Sequence, residues 1–387
     1  MTSKVAADSA GQRPVLVVSH SYGYGGDLMY YGEIFAALRA IEPRLAIAVD
    51  RATGFANPHA LDLRPLYRRH SLALPAGRGY AREIHAASPL LAVRVARMRP
   101  DVLVAVEFTP VSLLAMLGSV AVPGCRRLLL VESDPADRGA SGACAVLALK
   151  RRAVAAADAI LTNNEAGRRY LTERLRADPG KIEVGPYLTS RPPGPEVQIE
   201  GREGPLRLLV ANGLTERKNA AVVIEALAQL PVALRQQVAL TLVGDGDQRA
   251  MLEAKVAAFG LADCVRFLGH CRYGELGRHL AAADVLINPT RLDYRSLSSF
   301  EGLGYGLALL VSDRDGAARE TVIEGETGFT FAPDDPRALA AHIARLAQDP
   351  ALLQAMRKRA LALYSDRFAV ERAAANLANA IERARRA

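Results

Sequence analysis

The chain has 387 residues, of which 50% are hydrophobic and 23% are charged, so its composition excludes a disordered protein and fits two globular domains. Its net charge of +8 is uneven, because residues 1–190 contain 24 Lys and Arg against 17 Asp and Glu, whereas residues 191–387 contain 25 against 24. This asymmetry predicts an anionic partner for the first half, either a phosphorylated substrate or an anionic lipid surface. Aromatic residues are few and tryptophan is absent, so we expect no nucleic-acid partner.

The four cysteines are scattered without a CxxC pair, which predicts neither a disulfide framework nor a zinc site and suits a reducing cytosol. The N-terminus has no apolar core of signal-peptide length. The longest uncharged run, between Glu107 and Arg126, offers roughly half of the ~20 apolar residues that a membrane span needs, so we interpret it as a buried helix. We expect a cytoplasmic protein and leave open a peripheral position on the inner face of the membrane.

The first half of the chain alternates strand and helix patterns. Five mostly apolar runs predict strands over 15–19, 46–49, 102–106, 127–131 and 159–162. A helical pattern covers 28–41. Continuous apolar strands are typical of a parallel sheet covered on both faces, and right-handed crossovers then give a doubly wound domain over residues 1–190.

A glycine-rich turn, which includes Gly25 and Gly26, lies between the first strand and the first helix. A turn of this kind can bring backbone N–H groups to an anion at a helix N-terminus, so both glycines are candidate donor-binding residues. The sequence is not GxGxxG, and tight packing of a strand-to-helix turn explains it equally well.

An arginine-rich segment covers residues 81–98, contains Arg82, Arg94 and Arg97, and is followed directly by Arg99. Ser88 and Pro89 interrupt it, and the clearest helix begins there with Ser88 as its cap. An arginine-edged amphipathic surface of this kind could rest on anionic lipid headgroups. A solvated helix face with locally paired charges is the favoured alternative.

A proline- and glycine-rich stretch follows the first domain and predicts a linker over 191–205. The pattern then restarts, with strands predicted over 206–212, 239–243, 264–268, 284–288 and 308–312, and a helix over 220–229. These elements predict a second domain over 206–366. The last segment, 367–387, is helical and either crosses back to the first domain or ends where it is. The fold class is therefore α/β, with two Rossmann-like doubly wound domains and a ligand in the cleft between them.

Polar residues follow three of the strands in the second domain, where ligands bind in open α/β sheets. They are Arg217 and Lys218, then Gly244 and Asp245, then Asp293 and Glu301. The two cations can meet a diphosphate, the glycine turn allows a base or ribose to approach closely, and the two carboxylates can accept hydrogen bonds from sugar hydroxyls. Each feature alone is weak, since paired surface cations are usually solvated and one acid often caps a helix.

In this order, the features resemble the retaining glycosyltransferases of family 4, which have the GT-B architecture. The resemblance covers 206–331 and rests on LTLVGDGDQRAMLEAKVAAFGLADCVRFLGH, LAAADVLINPT, SSFEGLGYGLALLVSD and GETGFTF. It implies transfer of a sugar from a nucleotide-diphosphate sugar to a saccharide, phosphorylated or lipid-linked acceptor without a metal or cofactor. It further implies that Lys218 binds phosphate, Asp293 contacts the sugar and Glu301 contacts the ribose, with the departing phosphate taking the acceptor proton.

The chain departs from the family pattern at several positions. The first acid of the family's E-x7-E pair is aspartate here, and the usual phosphate-binding arginine falls at Gly213. Arg217 or Arg295 is a candidate replacement for that arginine. Tyr294, Arg295 and Ser296 replace the family's glycine-rich loop, and the donor-binding candidates also include Ser296 and the main-chain N–H groups around Leu297.

These departures keep two alternatives open. One is a weakened or inactive member of the family that binds a nucleotide or serves as a partner subunit. The weaker alternative is a Rossmann-type oxidoreductase, which lacks support because no GxGxxG motif with a following acid appears after the first strand of either domain.

Overall fold

The computed structural model of the chain describes residues 13–18, 23–24, 28–29, 31–51, 57, 59–73, 83–134, 144–200 and 204–387. The chain divides into two compact units. Unit 1 comprises Met1–Leu188 and Val370–Ala387, and unit 2 comprises Thr189–Ala369.

The strands in the described part of the chain are β1 Val15–Val18, β2 Gly23–Tyr24, β3 Leu28–Met29, β4 Leu45–Asp50, β5 Leu63–Tyr67, β6 Arg69–Ala73, β7 Glu83–Ala87, β8 Val102–Val106, β9 Arg126–Val131, β10 Ala159–Thr162, β11 Ile182–Val184, β12 Leu206–Ala211, β13 Val238–Val243, β14 Val265–Gly269, β15 Val285–Asn288, β16 Ala308–Ser312 and β17 Gly328–Phe331. The α-helices are α1 Gly32–Ile41, α2 Leu90–Met98, α3 Pro110–Val120, α4 Cys144–Ala156, α5 Glu165–Arg169, α6 Ala220–Gln229, α7 Val232–Arg235, α8 Arg249–Ala258, α9 Tyr273–Ala282, α10 Leu297–Gly304, α11 Ala318–Thr321, α12 Pro336–Gln348, α13 Pro350–Leu363 and α14 Val370–Arg386.

Unit 1 is built on a parallel sheet with the described strands in the order β11-β10-β9-β8-β1-β4-β5. Strands β1, β4, β8 and β10 are buried along their whole length, as their apolar sequences predict. Two small antiparallel pairs, β2 with β3 and β6 with β7, form separate two-stranded sheets. The strand order of the parallel sheet follows the doubly wound pattern predicted from the sequence.

The C-terminal helix α14 belongs to unit 1, where it packs against α1 and β8–β10. Arg385 near its end forms ion pairs with Glu42 at 2.5 Å and Asp101 at 2.9 Å. Burial alone would raise the pKa of Glu42, but hydrogen bonds from Arg44 and Arg385 hold it below its ordinary value. These charged contacts tie the last turn of the chain to a part of unit 1 that is distant in sequence.

Two sequence predictions in unit 1 need correction. The helix predicted over 28–41 begins only at Gly32, because Leu28–Met29 pairs as a strand with Gly23–Tyr24. The helix predicted to be buried, α3, exposes part of its surface, including Leu117 and Val120.

The cap predicted for α2 is present in part. The Ser88 hydroxyl oxygen accepts a hydrogen bond from the backbone N–H of Leu90 at 3.3 Å, and the helix begins at Leu90. Arg82, Gly25 and Gly26 lie outside the described residues.

Unit 2 contains a parallel sheet in the order β14-β13-β12-β15-β16-β17. Helices α6 and α12 pack on each other, and apolar residues of both join the core of the unit. Because β13, β12, β15 and β16 are neighbours and run parallel, the loops that follow them leave the same edge of the sheet side by side. The predicted fold class of two Rossmann-like α/β units is confirmed. Within the described residues, no helix is long and apolar enough to cross a membrane.

Candidate functional site

The loop after β12 presents both predicted cations in a fixed conformation. The Thr215 hydroxyl oxygen accepts the backbone N–H of Lys218 at 3.4 Å and caps a short 3₁₀ turn. Asn219 then adopts the left-handed conformation, with φ of 56°, which asparagine tolerates better than most residues. Its buried side-chain amide donates to the carbonyl oxygens of Pro289 at 3.3 Å and Pro333 at 2.7 Å. The turn is therefore fastened to two other loops of unit 2.

The loop after β15 lies directly against this turn, because β12 and β15 pair in parallel. The Arg217 carbonyl oxygen accepts the N–H of Arg291 at 2.9 Å and the hydroxyl of Thr290 at 3.1 Å. These contacts bring Asp293 to the two cations. Its Oδ2 lies 2.6 Å from Lys218 Nζ and 2.9 Å from Arg217.

The cluster of Arg217, Lys218 and Asp293 combines two positive charges with one negative charge. Asp293 is buried, and its side chain is occupied by the two cations and by the backbone N–H of Tyr294 at 2.9 Å. Buried ion pairs of this kind hold long cationic side chains in one position. A diphosphate arriving at Lys218 would meet a cation that is already oriented and partly desolvated.

Glu301 lies on α10 and is buried. Burial raises the pKa of its carboxyl to about 7. A hydrogen bond that the Ser190 hydroxyl donates to the Glu301 carboxyl and the nearby charge of Lys218 both oppose this shift. The Ser190 hydroxyl also contacts the hydroxyl of Tyr273 at the start of α9. Near neutral pH, Glu301 can therefore exist in either protonation state and can accept hydrogen bonds from a pair of hydroxyl groups when ionised.

Arg295 lies between the two acids in sequence but has a different role. Its guanidinium forms two parallel hydrogen bonds with Glu320, at 2.8 and 2.9 Å, and stacks over the Phe300 ring at 3.9 Å. The Arg295 side chain has no exposed surface. The hypothesis that Arg295 replaces the missing phosphate-binding arginine does not fit this placement, which leaves Arg217 as the candidate.

A buried polar network supports the loop behind the acids. The Asn288 amide donates to Asp315 at 2.7 Å and also contacts the Ser296 hydroxyl, which in turn contacts Asp315. Burial, followed by the negative charge of Asp293, raises the pKa of Asp315 above its ordinary value. Ser296 is the N-cap residue of α10, so the network fixes the helix start where the N–H of Leu297 has no helical acceptor.

The loop after β13 packs against the loop after β12. A Cβ atom on Gly244, where φ is 138°, would lie 2.0 Å from the Asn212 carbonyl oxygen, so only glycine fits there. The carbonyl oxygen of Asp245 accepts the N–H of Leu214 at 3.0 Å. The Asp245 side chain is half-exposed, and its carboxylate forms an ion pair with Arg249 at 3.1 Å. Asp245 therefore shapes the rim of the site and keeps an accessible carboxylate.

Gly213 has room for a side chain. A Cβ atom there would have its nearest neighbour, the Asp245 carbonyl oxygen, at 3.7 Å, which is an ordinary van der Waals contact. The absence of an arginine at this position is therefore not imposed by the surrounding backbone.

The structure brings together Lys218, Arg217, Asp293 and Glu301, and places Ser296 and Leu297 on the same loop and helix start. Sequence reasoning missed Ser190, Asn288 and Asp315. The available signal for Asn288 and Asp315 was a polar residue at or just beyond the carboxyl end of an apolar strand. Ser190 gave no such signal, because it lies in the stretch that precedes the predicted linker.

Unit 1 contains a second titratable cluster that the sequence did not single out. Glu107 follows β8 with φ of 58°, an uncommon conformation for a residue other than glycine, and its carboxylate accepts the N–H of Glu132. Burial raises the pKa of Glu107 to about 6, and the charge of Lys150 opposes this shift. Lys150 in turn contacts the Tyr170 hydroxyl at 3.3 Å. The cluster lies at the carboxyl edge of the parallel sheet.

Comparisons with known proteins agree with this geometry. Residues 196–362 match the sequence model of the family described as glycosyl transferases group 1. Glycogen synthase of Mycobacterium tuberculosis is 33% identical over 155 residues, which cover 40% of this chain and 36% of that protein. D-inositol 3-phosphate glycosyltransferase of Thermobispora bispora is 28% identical over 256 residues, covering 61% of this chain and 59% of that protein.

A solved structure resembles nearly the whole chain. The Anabaena protein Alr3699/HepE, crystallised in complex with UDP, gives a TM-score of 0.72 at 19% identity and covers 95% of this chain and 99% of that chain. This likeness establishes the fold. The alignments with the two curated relatives span between 36% and 59% of those proteins' own length.

Proposed function

We propose, from the premise that residues 196–362 are a group 1 glycosyl transferase domain, that the protein transfers a sugar from a nucleotide-diphosphate sugar to an acceptor. The observation that carries this proposal is the convergence of Lys218, Arg217, Asp293 and Glu301 at the carboxyl edge of one parallel sheet. This arrangement offers cations for a diphosphate and carboxyl groups for the hydroxyls of a sugar or ribose.

Lys218 and Arg217 would bind the diphosphate and stabilise the negative charge that develops on it as the glycosidic bond breaks. The N–H of Leu297 would add a main-chain donor at the positive end of α10. Asp293 would hold the two cations in place in the unliganded protein. Because it already pairs with both, a sugar hydroxyl would have to share its carboxylate with them.

Glu301 would bind the hydroxyl pair of the ribose in its ionised form. We further propose that the reaction retains the configuration at the sugar carbon and needs no metal, as in family 4, with the departing phosphate accepting the acceptor's proton. A sugar linked to UDP is the first donor to test, because the similar Anabaena protein was crystallised with UDP and with UDP-glucose. The acceptor would lie against unit 1, where Glu107 and Lys150 provide a carboxyl group and a cation.

The decisive experiment measures UDP binding by calorimetry and UDP release from UDP-glucose for the wild type and Lys218→Ala. We expect weaker UDP binding and a loss of roughly 2–4 kcal/mol in transition-state stabilisation, by analogy with removal of an oxyanion donor. Lys255→Ala is the matched control, because Lys255 lies on helix α8 and forms its ion pair with Glu225 on helix α6. Wild-type turnover in Lys218→Ala would refute the phosphate role.

A second candidate function is favoured by one observation. Asp293 neutralises one of the two cations, and Arg295 is held by Glu320, which leaves less free positive charge than the family pattern implies. A protein that binds a nucleotide without catalysing transfer would bind UDP in the same calorimetric experiment. It would consume no donor with any member of an acceptor panel. UDP binding without donor consumption would therefore contradict the first proposal and support this second one.

A further inference from the structure

Helix α3 has an unusual surface for a helix of its composition. Its eleven residues include no charged side chain, and a helix that is apolar all round is normally buried. Nevertheless, Leu117 is 64% exposed and Val120 is 67% exposed. Both point away from the core of unit 1, so the helix carries apolar surface that the described residues leave uncovered.

The neighbouring helix α2 extends this surface. A Cβ atom on Gly118 would lie 2.2 Å from the Ala92 carbonyl oxygen, so the backbones of the two helices touch at this point. On α2, Leu90 is 55% exposed and Val93 is 46% exposed, and both lie within two residues of this contact. We call the surface formed by Leu90, Val93, Leu117 and Val120 the apolar face. Exposed apolar side chains grouped in this way on two adjoining helices are typical of an interaction site.

The charged residues on the two helices are all of one sign. Helices α2 and α3 together contain Arg94 and Arg97 and no acidic residue, and Arg99 follows directly. Arg94 is turned toward the protein, where it donates to the Leu66 carbonyl oxygen at 2.5 Å. Arg97 and Arg99 are exposed, and the described part of the chain gives neither of them an acidic partner.

This combination of charges distinguishes between possible partners. A second copy of the chain docked through the same face would bring the arginines of both copies close together, and like charges at an interface oppose association. An anionic lipid surface instead offers phosphate groups to the arginines and an apolar layer just below them. The positive charge of residues 1–190 attracts the same surface over a longer range.

We propose that the apolar face is a docking surface for an anionic lipid bilayer. Leu90, Val93, Leu117 and Val120 enter the boundary between headgroups and acyl chains, while Arg97 and Arg99 bind lipid phosphates. In this arrangement, the apolar face lies on the membrane surface. This inference concerns where the protein works and goes beyond the proposed transfer reaction.

Flotation of the full chain with vesicles tests the proposal. One set of vesicles contains phosphatidylcholine alone, and the other contains equal parts of phosphatidylcholine and phosphatidylglycerol. Two double variants separate the contributions: Leu117→Gln with Val120→Gln removes apolar surface, and Arg97→Gln with Arg99→Asn removes charge. Asparagine is chosen because Arg99 has φ of 48°, which asparagine accommodates. Val232→Gln is the matched control, because Val232 is 66% exposed on helix α7 of unit 2.

We expect the wild type and Val232→Gln to float with the anionic vesicles and much less with phosphatidylcholine alone. Each double variant should show a partition coefficient at least about tenfold lower. In one variant the reason is that apolar side chains no longer become buried, and in the other it is that two arginines no longer bind lipid phosphates. Because the replaced side chains are exposed, unchanged circular dichroism should accompany the loss.

Equal flotation of the wild type and the Leu117→Gln/Val120→Gln variant would overturn the proposal, as would a wild type that binds neither vesicle. Light scattering adds a further outcome. If the wild type is a dimer that the same variant dissociates, and neither binds lipid, then the face joins two copies of the chain and the lipid proposal is wrong.

Discussion

Replacing Glu301 with glutamine tests whether this buried acid holds a proton near neutral pH. Glutamine keeps the size of the side chain and an oxygen that accepts from Ser190, but it cannot ionise. Burial raises the pKa of Glu301 from 4.5 to about 7, so the native state binds this proton more tightly than the unfolded state does. Between these two values, the free energy of unfolding must fall as pH rises, because ionising the buried carboxyl is unfavourable only in the native state.

The size of the effect follows from the two pKa values. A tenfold change in an ionisation equilibrium corresponds to about 1.4 kcal/mol. The difference between the two pKa values therefore lowers the free energy of unfolding by about 3 kcal/mol in total, and this loss is complete above neutral pH. Roughly 2.5 kcal/mol of it should develop between about pH 5 and about pH 8, since a part is already present at the lower value. Relative to the wild type, Glu301→Gln should therefore gain stability by that amount over this interval.

Urea denaturation of both proteins at several pH values measures this difference. Glu326→Gln is the control, because it removes an exposed carboxylate from the same unit, and its difference from the wild type should change far less. If the wild type and Glu301→Gln give parallel curves of stability against pH, then Glu301 is ionised throughout in the folded protein. The raised pKa, and with it the statement that Glu301 exists in either protonation state near neutral pH, would then be wrong.

Three further predictions concern the support of the site, its missing cation and a glycine in the loop after β13. Arg295→Ala or Glu320→Ala should each lower the free energy of unfolding by about 3–5 kcal/mol, because each leaves an unpaired buried charge, whereas the double change to leucine should be closer to neutral in denaturation measurements. Gly213→Arg should tighten UDP binding about tenfold in calorimetry, since the backbone leaves room and a charge-assisted hydrogen bond to phosphate is worth about 1.5–3 kcal/mol. Gly244→Ala should instead destabilise the fold, because its Cβ would meet Asn212, and unchanged stability in that variant would contradict the packing argument.

The order of elements could be predicted from the sequence because it depends on local pattern. Strands β8 and β10 and helix α6 have the predicted bounds, since continuous apolar runs and a helical period report burial directly. The same rule failed for α3, where apolar composition predicted burial and the structure leaves Leu117 and Val120 exposed. It also failed at Leu28–Met29, because antiparallel pairing with the nearby Gly23–Tyr24 overrode a helical pattern.

The sequence by itself determined which residue types are available at the carboxyl ends of the strands in unit 2, and from them the class of ligand. Lys218, Asp293 and Glu301 were found in this way. Only the tertiary structure decided how these charges are used. Asp293 pairs with both cations because β12 and β15 are neighbours, whereas Arg295 pairs with Glu320, 25 residues further along the chain. The spacing of residues fixes what can meet on one element, but the pairing of charges and the desolvation that sets their pKa values depend on which elements pack together.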